Sequence, residues 1–319
     1  MLNYSGYFQF EYFDRPDLSE FYPEAVKLNT ARNAIVYVIL AKKYELIHIP
    51  FYICDSVIKA LKNYNIKYKF YPLTEEFLPK IDAINSKESL LYPNYFGIHD
   101  NQARMVKEKH QNVIIDNTQA FFSKPIDKVD TVYSPRKFFG VSDGAYLFTD
   151  KLLETDLEQD LSYARIEPLM MRFELGAEFG YKAHKEVEES LEREPLKKMS
   201  KLTQEILTYV DYNLCMKKRR YNFYILNEIL QEKNQFKFDN NFLNHSPMVY
   251  PFLNFKIDLR KELIAKKIFV PQWWRSVLTQ VKKDSLEWSL SEYLIPLPID
   301  HRYNEDDMRS LGSIVLAHL

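Results

Sequence analysis

Glycine is the first shortage: 7 of 319 residues, where average usage gives roughly 22. Neither G-x-G-x-x-G nor G-x-x-x-x-G-K-[ST] occurs, which argues against a glycosyltransferase or nucleotide-binding protein built on a glycine-rich phosphate loop. Cysteine is scarcer still. Cys54 and Cys215 cannot form a disulfide framework or a metal-ligand cluster, so a reducing cytoplasm is the expected compartment and no metal is expected. Charge of one sign is also missing: 43 basic against 44 acidic residues leave a net −1, and no overall field draws the chain to nucleic acid or an anionic membrane. No run approaches 18 apolar residues and the N-terminus lacks a signal-type basic-then-apolar pattern, so neither export nor membrane spanning is expected. What remains is a globular chain with a small-molecule partner.

Hydrophobic residues make up 46% of the chain, enough for a large core, and the length suggests two domains. We expect an N-terminal segment at 1–23, a large domain at 24–235 and a small α+β domain at 236–319. From Thr30 to Asp150, candidate helices Ala31–Tyr44, Ser56–Tyr64, Glu75–Ile84 and Gln102–His110 alternate with short apolar runs at Leu46–Ile49, Tyr68–Tyr71, Ser89–Tyr92 and Val113–Ile115. Strands Thr131–Tyr133 and Ala145–Phe148 follow. Such alternation predicts an α/β fold with a mostly parallel central sheet flanked by helices. Lys182–Lys198 reads as a solvated helix, Met199 to about Leu230 as one long helix or two abutting ones, and Lys217-Lys218-Arg219-Arg220 as a basic cluster flanked by apolar residues at helical spacing. Strand Val249–Ile257, helix Leu259–Lys267 and a strand and helix from Tyr293 close the chain. Trp273-Trp274-Arg275 could stack a base or grip an acid, but core packing of the small domain is the plainer reading. His184 and Glu188 share a helix face without a third metal ligand.

Three segments could carry chemistry. Leu28-Asn29-Thr30-Ala31-Arg32-Asn33-Ala34 opens an apolar helix, whose free N–H groups and partial positive charge suit a phosphate; Asn29 or Thr30 as a simple cap is the alternative. Val113-Ile114-Ile115-Asp116 ends a buried-type strand in a carboxylate, where α/β sheets place ligands; a helix cap, a metal or ribose ligand, or a partner for a protonated pyridine nitrogen all fit. Tyr133-Ser134-Pro135-Arg136-Lys137-Phe138-Phe139-Gly140 sets a lysine among aromatics. A lysine in apolar surroundings loses hydration of its charged form, and the neutral amine is an imine-forming nucleophile; an ordinary surface lysine is the alternative.

In this order and spacing, the segments resemble the DegT/DnrJ/EryC1/StrS sugar aminotransferases, a branch of the fold type I pyridoxal-phosphate enzymes. The resemblance covers about residues 24–150 and returns at Lys218-Arg219-Arg220-Tyr221-Asn222 and Leu294-Ile295-Pro296-Leu297-Pro298-Ile299. It implies pyridoxal 5'-phosphate as cofactor, with Thr30, Ala31 and Arg32 at its phosphate, Ser134 close by, and Asp116 on the pyridine nitrogen. Gln119 would lie near the phenolic oxygen, and Lys137 would hold the cofactor as an imine and move the substrate proton. Cys54 stands where the family usually covers the ring with an aromatic group, with Tyr52 a possible substitute. Ser134 is only three residues before Lys137, closer than in many members. The resemblance further implies a homodimer that passes an amino group from an amino acid, plausibly glutamate, to a nucleotide-linked keto-sugar for surface polysaccharide or glycoconjugate synthesis. A dehydratase or other lyase on the same scaffold, or a catalytically silent scaffold protein, are the alternatives; related dehydratases carry histidine where this chain has Lys137.

Overall fold

The computed structural model describes residues 19–237 and 245–319; the expected N-terminal segment 1–23 lies mostly outside them. Strands β1 (Val26–Leu28), β2 (Leu46–Pro50), β3 (Tyr68–Tyr71), β4 (Glu88–Pro93), β5 (Val113–Asn117), β6 (Asp130–Tyr133) and β7 (Ala145–Phe148) form one sheet in the order β1-β7-β6-β5-β4-β2-β3. The steps from β3 to β6 are parallel, while β7 runs antiparallel to both β6 and β1. Every residue of β5 is buried, as expected of a parallel strand covered on both faces. Leu91, Ile114 and Val132 pack one face against helices α1 (Ala31–Lys42) and α2 (Asp55–Asn63). Tyr92, Val113 and Ile115 pack the other against Ala103 and Val106 of α3 (Asp100–Lys109). Pleating therefore points Asp116 towards the α1 face and Asn117 away from it.

The expected helix Glu75–Ile84 is absent. Pro79 could not sit inside that helix without clashing with the carbonyl four residues back. Phe77 instead takes a left-handed φ of 63°, Thr74 and Leu78 bond to each other through backbone and hydroxyl, and Leu73 pairs with Pro79 in a tight loop. Phe77 is thereby buried. Strand β1 carried no signal of its own; three residues are too few to show alternation.

Beyond the sheet come α4 (Glu167–Leu175), α5 (Ala177–Leu191), α6 (Lys201–Thr208) and α7 (Tyr212–Leu230). Ser200 caps α6 and Asp211 caps α7 through their side chains, which splits the 199–230 stretch into two helices. The predicted helix over Lys182–Lys198 stops at Leu191. The C-terminal part holds the antiparallel pair β8 (Val249–Leu253) and β9 (Leu294–Pro298), with α8 (Leu259–Ala265), α9 (Val277–Gln280) and α10 (Leu286–Tyr293) between them and α11 (Glu305–Ala317) after. Its core joins Phe223, Leu226 and Leu230 of α7 to Phe252, Leu297 and Val315. Trp273 and Trp274 pack on the large sheet's core, where Trp274 meets Tyr52 at a ring separation of 4.6 Å. No helix among the described residues is long and apolar enough to cross a membrane.

Candidate active site

The candidate residues gather at the carboxyl ends of the parallel strands, the end at which open α/β sheets bind ligands, and the strand order reverses between β2 and β4. On the α1 side, the Thr30 hydroxyl accepts from Asn33 N at 3.3 Å and so caps the helix. Asn29 pins this corner to a distant segment. Its Nδ2 donates to Pro195 O at 2.8 Å, its Oδ1 accepts from Asn33 Nδ2 at 3.0 Å, and its backbone N donates to Lys197 O at 2.9 Å. Ala31 opens α1, and Arg32 follows with 9% of its surface exposed and no partner for Nη1. Burial lowers the pKa of Arg32, and nearby Arg136 acts in the same direction; Cys54 and Glu188 oppose it. Cys54 precedes α2 without capping it and accepts from Ser56 Oγ at 3.1 Å.

Asp116 is 8% exposed and accepts from Thr118 N at 2.9 Å. Burial raises its pKa, against the pull of Thr118 and the positive charge of Lys137. Lys137 stands in the single turn Pro135–Lys137 after β6, with Ser134 buried at its start. Asp116 and Lys137 thus stand after neighbouring parallel strands, β5 and β6, close enough for the lysine charge to act on the carboxylate. Lys137 is an exposed residue in the single chain, so the expected apolar surroundings are not present. The aromatics beside it turn inward: Phe138 and Phe139 pack with Phe121, Tyr133 and Tyr212. Gln119 Oε1 accepts from Phe96 N at 2.7 Å, and Phe96 and Gly97 both take positive φ against it. A Cβ on Gly97 would lie 2.5 Å from Gln119 O, so only glycine allows this approach. Tyr52 cannot stand in for a stacking ring over the site: it is fully buried between Trp274 and Tyr95.

Three contributors escaped the sequence reading. Arg136 Nη2 donates to Glu188 of α5, forming an ion pair whose two charges act on Arg32 of α1. Burial alone would raise Glu188, but Arg136 and Lys137 bring its pKa down to about 2. Asp143 accepts from Ser200 N at 2.7 Å, from Ser200 Oγ at 2.6 Å and from Thr203 Oγ1, locking the end of the Lys137 loop to α6. Gly144 beside it has φ +121°, and a Cβ there would meet Pro135 at 2.9 Å. Arg219, read as part of a basic cluster flanked by apolar residues, is 1% exposed. Its guanidinium donates to Pro247 O, Met248 O and Phe138 O, and burial lowers its pKa to about 10. The Ser200-to-Thr203 spacing of a cap was the one available signal for the Asp143 network. Among the described residues, no cluster of three His, Cys, Asp or Glu could hold a metal ion.

No family model and no curated protein matches the sequence. Solved structures do match in fold. A DegT DnrJ EryC1 StrS aminotransferase from Brucella abortus superposes with a TM-score of 0.60 at 11% identity, over 92% of this chain and 85% of that one. PseC of Helicobacter pylori, an aminotransferase involved in the biosynthesis of pseudoaminic acid, gives 0.59 at 13% identity over 92% and 86%. A GDP-4-keto-6-deoxymannose-3-dehydratase with bound GDP-perosamine gives 0.61 at 13% identity over 91% and 88%. The fold is therefore that of the sugar aminotransferases and their dehydratase relative, as the sequence resemblance implied.

Proposed function

We propose that the chain is a pyridoxal-phosphate-dependent aminotransferase that moves an amino group from an amino acid, glutamate being the first to test, to a nucleotide-linked keto-sugar. The observation that supports this reading is a buried carboxylate, Asp116, at the carboxyl end of β5, under the electrostatic influence of Lys137 on the turn after the neighbouring strand β6. The residues suit the cofactor chemically: the helix N-terminus and the orphaned Arg32 Nη1 offer donors to a phosphate, and Asp116 offers an anion to a protonated ring nitrogen. When bound, pyridoxal phosphate supplies an aldehyde carbon for amine exchange and a ring that accepts electron density from a substrate C–H bond.

Within that assignment, Thr30, Ala31, Arg32 and Ser134 hold the phosphate, and Asp116 keeps the ring nitrogen protonated. Gln119, its oxygen already engaged by Phe96, has its amide nitrogen to offer the phenolic oxygen. Cys54 stands at the ring face. Lys137 would bond the cofactor and, once released, its Nζ would take the proton from the substrate carbon and return it at the cofactor's aldehyde carbon as general base and then acid. Residues 24–235 would hold the cofactor and 236–319 would close over it. Exposed Tyr163, Phe173, Phe179 and Tyr181 around α4 and α5 support a homodimer that shields the exposed Lys137. The similar structures, sugar aminotransferases and a dehydratase with a bound GDP-sugar, support the sugar substrate, and with it a role in polysaccharide or glycoconjugate synthesis; the free Cys54 and Cys215 suit a cytoplasmic site.

The test is spectral. Purified protein given excess cofactor should develop near-visible absorbance that L-glutamate or another amino acid bleaches and a nucleotide-linked keto-sugar restores. Absorbance without bleaching by any amino acid would move the assignment to the dehydratase reading, which the GDP-perosamine-bound structure supports. No absorbance at all would leave a silent scaffold.

A further inference from the structure

Arg136 and Glu188 form an ion pair, and both charges act on Arg32 in the first turn of α1. Arg32 is nine-tenths buried, and its Nη1 has no partner. Arg136 is 10% exposed along its side chain; its Nε also lacks a partner, and its Nη2 is taken by Glu188. A buried arginine nitrogen without an acceptor is costly in a finished site. Two of them beside the same carboxylate describe a cation pair short of acceptor oxygens. One carboxylate has two oxygens, whereas a phosphate monoester brings three and a second negative charge.

We propose that Glu188 is an internal placeholder for a phosphate monoester: its carboxylate occupies Arg136 until the phosphate arrives, and Arg32 and Arg136 then grip that phosphate together above the N-terminus of α1. The proposal adds Arg136 to the binding residues and makes Glu188 a competitor. It rests on the reading above only for the identity of the phosphate bearer. Glu188 is able to leave because α5 reaches this corner from outside the sheet and the carboxylate remains 31% exposed. Arg32 cannot leave, being buried in the first turn of α1.

The experiment measures affinity by calorimetry on the full chain dialysed free of cofactor, with three probes: inorganic phosphate, pyridoxal phosphate, and pyridoxal without its phosphate. Glu188→Gln should bind the first two on the order of tenfold more tightly than wild type, the value of one released charge-assisted hydrogen bond, and should leave pyridoxal unchanged. Glu192→Gln, which removes a charge that also acts on Arg32 but is held by Lys59 at 2.7 Å, should change phosphate affinity by less than about twofold. In an Arg136→Gln background the Glu188→Gln gain should vanish. Equal gains from Glu188→Gln and Glu192→Gln, a gain that persists without Arg136, or a gain extending to pyridoxal overturns the placeholder. Wild type provides a check that needs no variant: phosphate should speed amide exchange over residues 184–191, and unchanged or slower exchange there counts against it. A phosphate gain without covalent capture of pyridoxal phosphate on Lys137 upholds the anion seat and removes the cofactor assignment. Capture on Lys137 without a phosphate gain does the reverse.

Discussion

The guanidinium carbon of Arg219 lies 4.4 Å from the centre of the Phe138 ring, one residue past Lys137. The same side chain donates to backbone carbonyls of Phe138, Pro247 and Met248, so α7, the Lys137 loop and the entry to β8 share one buried charge. Arg219→Met should leave those carbonyls without donors and remove the ring contact, at a cost of about 3 kcal/mol. Arg219→Lys should recover only part, because one ammonium cannot span the fork. Urea unfolding midpoints decide the matter; a midpoint equal to wild type for Arg219→Met would mean that the buried contacts contribute nothing net.

Lys137 should be the lysine that bonds the cofactor. Borohydride reduction of loaded protein followed by peptide mapping should place the label there, and Lys137→Ala should abolish turnover while the fold survives, as judged by circular dichroism. Label on any other lysine removes the assignment.

Asp116→Asn keeps the shape of the side chain and its bond from Thr118 but removes the anion. With a saturating amino donor, the single-turnover rate should fall on the order of 10²–10³, with cofactor occupancy much less affected. A near-normal rate would make Asp116 a structural residue at a strand end.

How much of this was legible follows from where the information sits. Asp116 could be found because an apolar run ending in a carboxylate is a local pattern, and strand β5 is buried along its whole length. Its position at the carboxyl end is a rule of the sheet. Arg219 could not, since its role is written in Phe138, 81 residues away. Nothing in four adjacent basic residues marks which one is buried, yet Arg219 shares a buried stripe of α7 with Cys215 and Phe223, four residues to either side. Glu188 and Asp143 likewise act on residues 52 and 57 positions distant. Around Glu75–Ile84 the local pattern pointed to a helix and was overruled by Pro79 and by the burial of Phe77.

Acid stability should report the Glu188 pair. Its pKa in the folded chain is about 2, below the ordinary 4.5, because Arg136 and Lys137 outweigh the effect of burial. A carboxylate lowered on folding contributes stability that is complete above its unfolded value and disappears as pH falls through the folded one. Thermal midpoints of wild type should therefore drop between about pH 5 and pH 2 more steeply than those of Glu188→Gln. Parallel curves would show that the pair adds no stability.

Asp143→Asn should loosen the Lys137 loop, since an amide oxygen cannot replace a carboxylate that accepts from Ser200 twice and from Thr203. We expect a loss of about 1–3 kcal/mol, read from urea unfolding; an unchanged midpoint would show that the network is dispensable.

The stem beneath α4 and α5 has a consequence for how this molecule can vary. Lys198 N bonds to Glu158 O at 2.8 Å, Asp160 N bonds to Lys198 O at 3.0 Å, and Lys198 also pairs with Leu28 beside the sheet. The chain therefore leaves and re-enters at a closed neck, and the two helices above it hang as a pendant that no strand of the large sheet runs through. Such a pendant can lengthen, shorten or be exchanged while the strands below keep their register. Glu188 rides on it, whereas Arg32, Asp116 and Lys137 belong to the part that stays, so the occupant of the anion corner can be revised without rebuilding the crevice.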